Sequence, residues 1–251
     1  MAETQIWSDY LASFHSDRSG ITETVLRHAL DDTGKTPYDW LAEIVGPASS
    51  VLDLACGSGP MRSRVATRSY VGLDLSLGEL SVAAARSLPV AQADASRLPI
   101  GNDSVDVVVM SMALMLVPFH ATLVEIRRVL RIGGLFAATV PTNRPVRAAD
   151  WVRYARLCVA LRHRGLSYPN DGALTVASEA FETAGLRLES DERRLFVCSL
   201  KTDVVADQLL ASLYLPERDA PRLSRGQQVV RHWVGSSIGS PIRRLVARRV
   251  S

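Results

Sequence analysis

Hydrophobic and polar positions follow two rhythms along this chain. Residues 3–45 read as helical, with breaks at Ser19-Gly20 and Thr36-Pro37. Beyond them short apolar runs alternate with helical periods. SSVLDLA (49–55), SYVGLD (69–74), the weaker LPVAQAD (88–94), SVDVVVMS (104–111) and LFAATV (135–140) read as strands. Between them, a helix is predicted from about Pro60, a second over 77–87 and a third over 120–130, where Leu123, Ile126 and Leu130 share one face. Gly133-Gly134 is the predicted stop of that third helix. The run at 104–111 is apolar on both faces, as a strand buried inside a parallel sheet requires.

Alternation of this kind implies right-handed crossovers and an open, mostly parallel sheet. In such sheets ligands gather beyond the carboxyl ends of the central strands. The stretch VLDLACGSGP (51–60) therefore stands where a ligand is expected. Gly57 and Gly59 are followed by Arg62 rather than a third glycine, and no G-K-[ST] follows, so neither a dinucleotide turn nor a phosphate loop is spelled out. Asp74 ends the second strand, where a carboxylate can accept from a ribose diol, and Asp94 ends the third, where it could accept from an adenine amino group.

Composition narrows the field without naming a ligand. With 251 residues, 47% of them hydrophobic, the chain can build one α/β domain with elaborations. Cys56, Cys158 and Cys198 are far apart and odd in number, which fits a reducing cytoplasm and gives neither a disulfide framework nor a metal site. No signal peptide is expected from MAETQIWSDY, and no window has the length of a membrane span. A net charge of +3, from 29 basic and 26 acidic residues, is too balanced to imply nucleic acid.

Taken together, DLACGSG (53–59), GLDLS (72–76), ADA (93–95) and RVLRIGG (128–134) resemble the class I S-adenosylmethionine-dependent methyltransferases. The similarity is greatest to the small-molecule branch related to ubiquinone-biosynthesis enzymes, and it is strong over about residues 45–140. It implies a Rossmann-like α/β fold with a seven-stranded, mostly parallel sheet in the order 3-2-1-4-5-7-6, strand seven antiparallel. Strand six is then expected within 186–200 and strand seven within 242–250, with a helical insertion at about 202–236. The expected parts are an N-terminal helical cap (1–45), a cofactor-binding core (46–141), a substrate-side helical lid (142–180) and a sheet completion (181–251), all in one structural domain.

By position, the resemblance puts Asp53 and the backbone at Ala55, Gly57 and Gly59 around the methionine part of S-adenosylmethionine. Asp74 would hold the ribose, Leu75 would lie beside the adenine, Asp94 and the Ala95 amide would read its edge, and Ser111 and Met112 would border the transferred methyl. Ala55 departs from the glycine of many relatives. Met115 stands where many carry a histidine base. His15, in a segment resembling the family's covering helix, and His120 are the remaining candidate catalytic bases. Tyr10 and Phe14 could close over the cofactor.

On the substrate side, Trp151, Tyr154, Leu157, Cys158 and Leu161 form an apolar helical stripe, with Arg147, Arg153, Arg156, Arg162 and Arg164 on the polar side. That stripe fits either a core-packed helix or a lid, with a membrane-surface helix a third reading. The expected activity is in-line methyl transfer to an O, N or C atom of a small organic molecule, S-adenosylhomocysteine being the product. An RNA or protein methyltransferase and a non-methylating scaffold are the alternatives. No metal or nucleic acid is expected. The expected partners are the acceptor and, where the protein self-associates, a second copy of the chain.

Overall fold

The structure is a computed structural model describing residues 2–142, 144–163, 165–216 and 219–250. Its elements run α1 (Ala2–Asp17), α2 (Ile21–Leu26), β1 (Ala29–Leu30), α3 (Pro37–Ala42), β2 (Ala48–Leu54), β3 (Thr67–Asp74), α4 (Leu77–Ala85) and β4 (Val90–Gln92). There follow β5 (Val105–Ser111), α5 (Phe119–Val129), β6 (Leu130–Pro141), α6 (Ala148–Ala160), α7 (Asp171–Thr175), α8 (Ala177–Thr183), β7 (Leu186–Ser199), α9 (Asp203–Ala211), α10 (Ala220–Arg231) and β8 (Ser237–Arg249).

The strands form one sheet in the order β1-β7-β8-β6-β5-β2-β3-β4. Read from the β4 edge, seven of these strands stand in the expected order. Adjacent strands from β4 to β6 run parallel, and β8 lies antiparallel between β6 and β7. The count is eight rather than seven. The extra strand, β1, has only two residues and pairs Ala29 with Cys198 and Leu30 with Val197. So short a strand has no periodicity to read, and the edge of β7 alone makes it a strand.

Two further expectations are corrected. No helix follows β2: residues 60–64 form turns, with Arg62 N–H donating to Gly59 and Arg64 N–H to Met61. Seven residues from Pro60 to the start of β3, Pro60 included, are too few to repay helix nucleation. Gly133-Gly134 does not end α5, which stops at Leu130 as the backbone turns extended (φ −65°, ψ 141°). The two glycines lie inside β6, where its register against β5 shifts between Val105 and Val107.

Both faces of the sheet are covered, which explains its unbroken apolar strands. Leu52, Leu54, Val108, Met110, Phe136 and Ala138 face α5 and α8, where Phe136 stacks on Phe181 at 5.7 Å. Val51, Val107, Val109, Leu135 and Ala137 face the opposite layer, with Trp40 and Leu41 of α3, Leu157 of α6, Leu210 of α9 and Val230 of α10. Each such fully buried side chain contributes about 1.5–3 kcal/mol. The carboxyl ends of β4, β3, β2 and β5 are left to open side by side.

Candidate functional site

Beyond the end of β2 the backbone enters the left-handed region three times, at Ala55 (φ 55°), Gly57 (54°) and Gly59 (84°). The Cys56 N–H donates to the Leu73 carbonyl at 3.0 Å, tying this turn to β3. Asp74 completes the tie. One of its oxygens accepts from the Gly57 N–H and the other from the Ser76 N–H, both at 2.8 Å. Its carboxylate is thereby fixed in orientation, with lone pairs still available on each oxygen. Burial pushes the Asp74 carboxyl above its ordinary range, while the Ser76 and Gly57 amides oppose that shift.

Ala55 is the one non-glycine in this run, and its β-carbon makes the left-handed region costly. Ala55→Gly is expected to stabilise the protein by about 1 kcal/mol, raising its melting midpoint by about 2–4 °C. Thermal unfolding followed by circular dichroism would show it.

Asp53 lies inside the turn, 1% exposed, accepting a 2.6 Å hydrogen bond from the Tyr70 hydroxyl. Burial raises its pKa from 3.8 to about 7; the Tyr70 hydrogen bond opposes the rise and the Asp74 charge adds to it. The sign follows from linkage. Between these two values the folded protein holds a proton that the unfolded chain has lost, so stability falls as pH rises through that window. The contribution is fully present below the unfolded value and lost above about 7. Asp53→Asn is therefore expected to flatten the pH dependence, gaining up to about 4 kcal/mol on the wild type between pH ~4 and pH ~7.5. Urea unfolding across that range would measure the difference.

A cavity of about 880 Å³ opens along the four strand ends. It takes in Asp53, Ala55, Gly57, Asp74, Leu75, Asp94, Ala95, Ser111 and Met112, nine of the ten residues expected to meet the cofactor. The tenth, Gly59, shapes the turn from behind. A β-carbon there would come within 2.2 Å of the Leu88 side chain. Asp94 caps its own turn, accepting from the Ser96 amide at 2.8 Å and hydroxyl at 2.7 Å. Leu75 lines the cavity with 64% of its surface exposed, an apolar platform at the mouth.

The roof of the cavity is α1, from which Trp7, Leu11, Ala12 and His15 line it. His15 Nδ1 lies 3.1 Å from Glu79 Oε1, and its Nε2 lies 3.4 Å from the Tyr214 hydroxyl. The second oxygen of Glu79 accepts from the Gly20 N–H at 3.0 Å. The helix fits this closely because Gly78 has no side chain; a β-carbon there would come within 2.8 Å of the His15 carbonyl. Tyr10 and Phe14 do not line the cavity. Tyr10 accepts from the Leu215 N–H at 2.7 Å and Phe14 packs on Tyr214 at 4.6 Å, so both brace Tyr214 from behind.

Other expected site residues are placed elsewhere. His120 is exposed in the first turn of α5 and does not line the cavity. Met115 is buried among the apolar side chains beneath α5, and only its carbonyl is used, accepting from the Asn170 N–H at 3.2 Å. Of the expected substrate-side segment 142–180, Pro169 and Asn170 line the cavity, but the apolar stripe of α6 does not. Helix α6 packs against α10 in the layer with Leu157 and Leu161. Trp151 is left 49% exposed, and the Tyr154 hydroxyl accepts from the Leu166 N–H. Arg147 and Arg153 are held by Asp150. The apolar stripe was a packing stripe, because that layer of the sheet needed a cover. Arg164 lies outside the described residues.

Sequence reading missed Glu79, Trp7, Leu11, Asn170 and Tyr214. Only Glu79 carries a local signal: Ser76 and Glu79 spell the S-x-x-E of a helix start, and the Ser76 hydroxyl does accept from the Glu79 N–H. Its side chain turns to His15 and Gly20 instead of closing the box. Asn170 clamps the loop after β5, donating to the Leu114 carbonyl at 2.9 Å and the Val117 carbonyl at 2.7 Å. Among the described residues no group of acids, histidines or cysteines could hold a metal, and no helix is long and apolar enough to cross a membrane.

Residues 52–138 match a protein family described as a methyltransferase domain, and they span the turn, the strand-end acids and β6. A demethylmenaquinone methyltransferase of Mycobacterium sp. (strain JLS) is 39% identical over 106 residues, which cover 40% of this chain and 46% of that protein. The chain thus matches less than half the length of such relatives. Among solved structures, the [4+2]-cyclase SpnF superposes with a TM-score of 0.58 at 20% identity, covering 95% of this chain and 94% of that one. A geranyl diphosphate methyltransferase, solved with GPP and sinefungin, gives a TM-score of 0.51 at 15% identity, covering 85% of this chain and 78% of that one. Residues 52–138 thus resemble a methyltransferase domain, and the chain shares its Rossmann-like fold with these solved structures.

Proposed function

We propose that this protein transfers a methyl group from S-adenosylmethionine to a small organic acceptor. The observation that carries the reading is the convergence of the glycine turn, Asp53, Asp74 and Asp94 on one cavity under α1. The chemistry of the lining fits this cofactor. Glu23, Asp53, Asp74, Glu79 and Asp94 all line the cavity, and none of the described lining residues is a lysine or arginine. Such a field repels a pyrophosphate and favours a ligand carrying a sulfonium and an ammonium.

Asp74, held by two backbone amides, is the acceptor for the ribose hydroxyls. Asp94 and the Ala95 amide read the adenine edge, and the exposed face of Leu75 covers the ring. The Gly57 and Gly59 turn lets backbone approach the methionine part, with Glu79 supplying negative charge nearby and Asp53 a carboxyl that ionises at about 7. When bound, S-adenosylmethionine supplies a methyl group on positively charged sulfur, open to in-line attack. The chain's contribution is then alignment and exclusion of water by α1. With Nδ1–H donating to Glu79, His15 keeps Nε2 as the proton acceptor within the cavity, and we assign it that role.

A roofed cavity of this volume suits a discrete molecule, which is why an RNA or protein acceptor is not favoured. Binding of S-adenosylhomocysteine by calorimetry tests the cofactor half of the reading, with a micromolar Kd expected. Acceptor-dependent conversion of S-adenosylmethionine to S-adenosylhomocysteine tests the rest. A wild type that binds neither cofactor form would overturn the proposal.

A further inference from the structure

The cavity is longer than the part assigned to the cofactor, and the remainder has a distinct character. In sheet order it runs from β4 through β3 and β2 to β5. Adenine, ribose and methionine parts account for the first three strand ends. At the β5 end the wall is Leu116 and Val117 of the loop held by Asn170, with Pro169 beside it, while Trp7 and Leu11 of α1 and Tyr214 add apolar lining to the same cavity. These are apolar surfaces, with the Tyr214 hydroxyl and His15 Nε2 as a polar pair 3.4 Å apart. The Asn170 amide nitrogen is already spent on two carbonyls.

Charge decides what this compartment can accept. Five carboxylates line the whole cavity, and no lysine or arginine does so among the described residues. Arg86 and Arg27, the arginines paired with Glu23, do not line it. Among the described residues Glu79 forms an ion pair with His15 alone, and His15 is the one imidazole lining the cavity. An anionic acceptor would therefore be desolvated with no lysine or arginine among the described lining residues to pair it, and held near Asp74 and Glu79.

Resting on the methyltransferase reading, we propose that the acceptor is a compact, apolar-bodied molecule bearing no negative charge. It binds between Trp7 and the 112–118 loop, with its nucleophilic O–H or N–H turned to His15 and Tyr214. In the transfer, a bond forms between the acceptor oxygen or nitrogen and the methyl carbon. The carbon–sulfur bond breaks with its electron pair going to sulfur, and the acceptor proton passes to His15 Nε2. Carboxylates and phosphates are excluded as the atom methylated and as close neighbours of it.

The test uses protein saturated with S-adenosylhomocysteine and three probes sharing one ring system: 2-naphthol, 2-naphthoate and 2-naphthyl phosphate. Calorimetry and ligand-observed NMR are expected to show naphthol binding at least tenfold more tightly than either anion. Trp7→Ala is expected to weaken naphthol at least tenfold, its own S-adenosylhomocysteine titration reporting that the cavity is formed. Equal or tighter binding of either anion would overturn the proposal. So would an absence of naphthol binding, or naphthol binding untouched by Trp7→Ala. Failure to bind S-adenosylhomocysteine at the outset is a separate result, which removes the cofactor reading itself.

Discussion

Replacing Asp74 by alanine is expected to weaken S-adenosylhomocysteine binding by about 100-fold or more, with the protein still folded. The expectation rests on two hydrogen bonds from a ribose diol to an ionised carboxylate, each worth about 1.5–3 kcal/mol. Geometry makes the loss large. The Gly57 and Ser76 amides fix both oxygens, so the carboxylate meets its ligand without first being ordered. The same variant loses the brace between the glycine turn and the end of β3. Asp74→Asn separates the two effects, because one amide oxygen can still take one backbone hydrogen bond. Calorimetry on both variants, with circular dichroism to report the fold, is the measurement. A loss of less than about threefold in Asp74→Ala, with the fold intact, would remove the ribose assignment.

Glu79→Ala should produce the second large effect, this time through α1. Glu79 is 3% exposed and holds the helix by two links, the Gly20 amide at one oxygen and His15 at the other. Removing it leaves a buried amide unpaired and frees the roof. We expect about 2–3 kcal/mol of lost stability and at least a tenfold loss of cofactor affinity. Glu79→Gln can keep the Gly20 hydrogen bond while losing the charge, so it should recover most of the stability but not the pairing with His15. Urea unfolding gives the first quantity. Calorimetry with S-adenosylhomocysteine gives the second, and hydrogen exchange along residues 5–17 reports the roof itself, with faster exchange expected in Glu79→Ala alone. If α1 exchanges equally in wild type and Glu79→Ala, the helix is held by its apolar contacts and not by this carboxylate.

How far the sequence carried depends on which interactions are local. Five of the strands were legible from their apolar runs, most plainly β5 and β6, which are interior and apolar on both faces, and least so β4, which is the exposed edge. Asp74 and Asp94 were legible for a related reason, since a carboxylate at the last residue of a parallel strand, as Asp74 is, or just beyond it, as Asp94 is beyond Gln92, stands at the crevice. The turn after β2 was recognisable from its glycines. That Ala55 shares their left-handed backbone was not, because nothing in an alanine announces φ 55°.

The remaining features belong to contacts between distant segments. His15 meets Glu79 across 64 positions and Tyr214 across 199, so no window contains the network. Helix α6 showed its apolar stripe plainly, but a stripe states only that a helix packs, not on which face of the sheet. The need to cover Val107, Val109 and Leu135 placed it away from the cavity. The net charge of +3 suggests a mildly basic protein, whereas the cavity collects five acids and no lysine or arginine among its described lining residues. Sequence therefore determined the sheet, the turn and the strand-end acids, which depend on local period and chain direction. Tertiary structure alone decided which side chains meet beneath α1 and which charges face the site, because folding brings those groups together from separate parts of the chain.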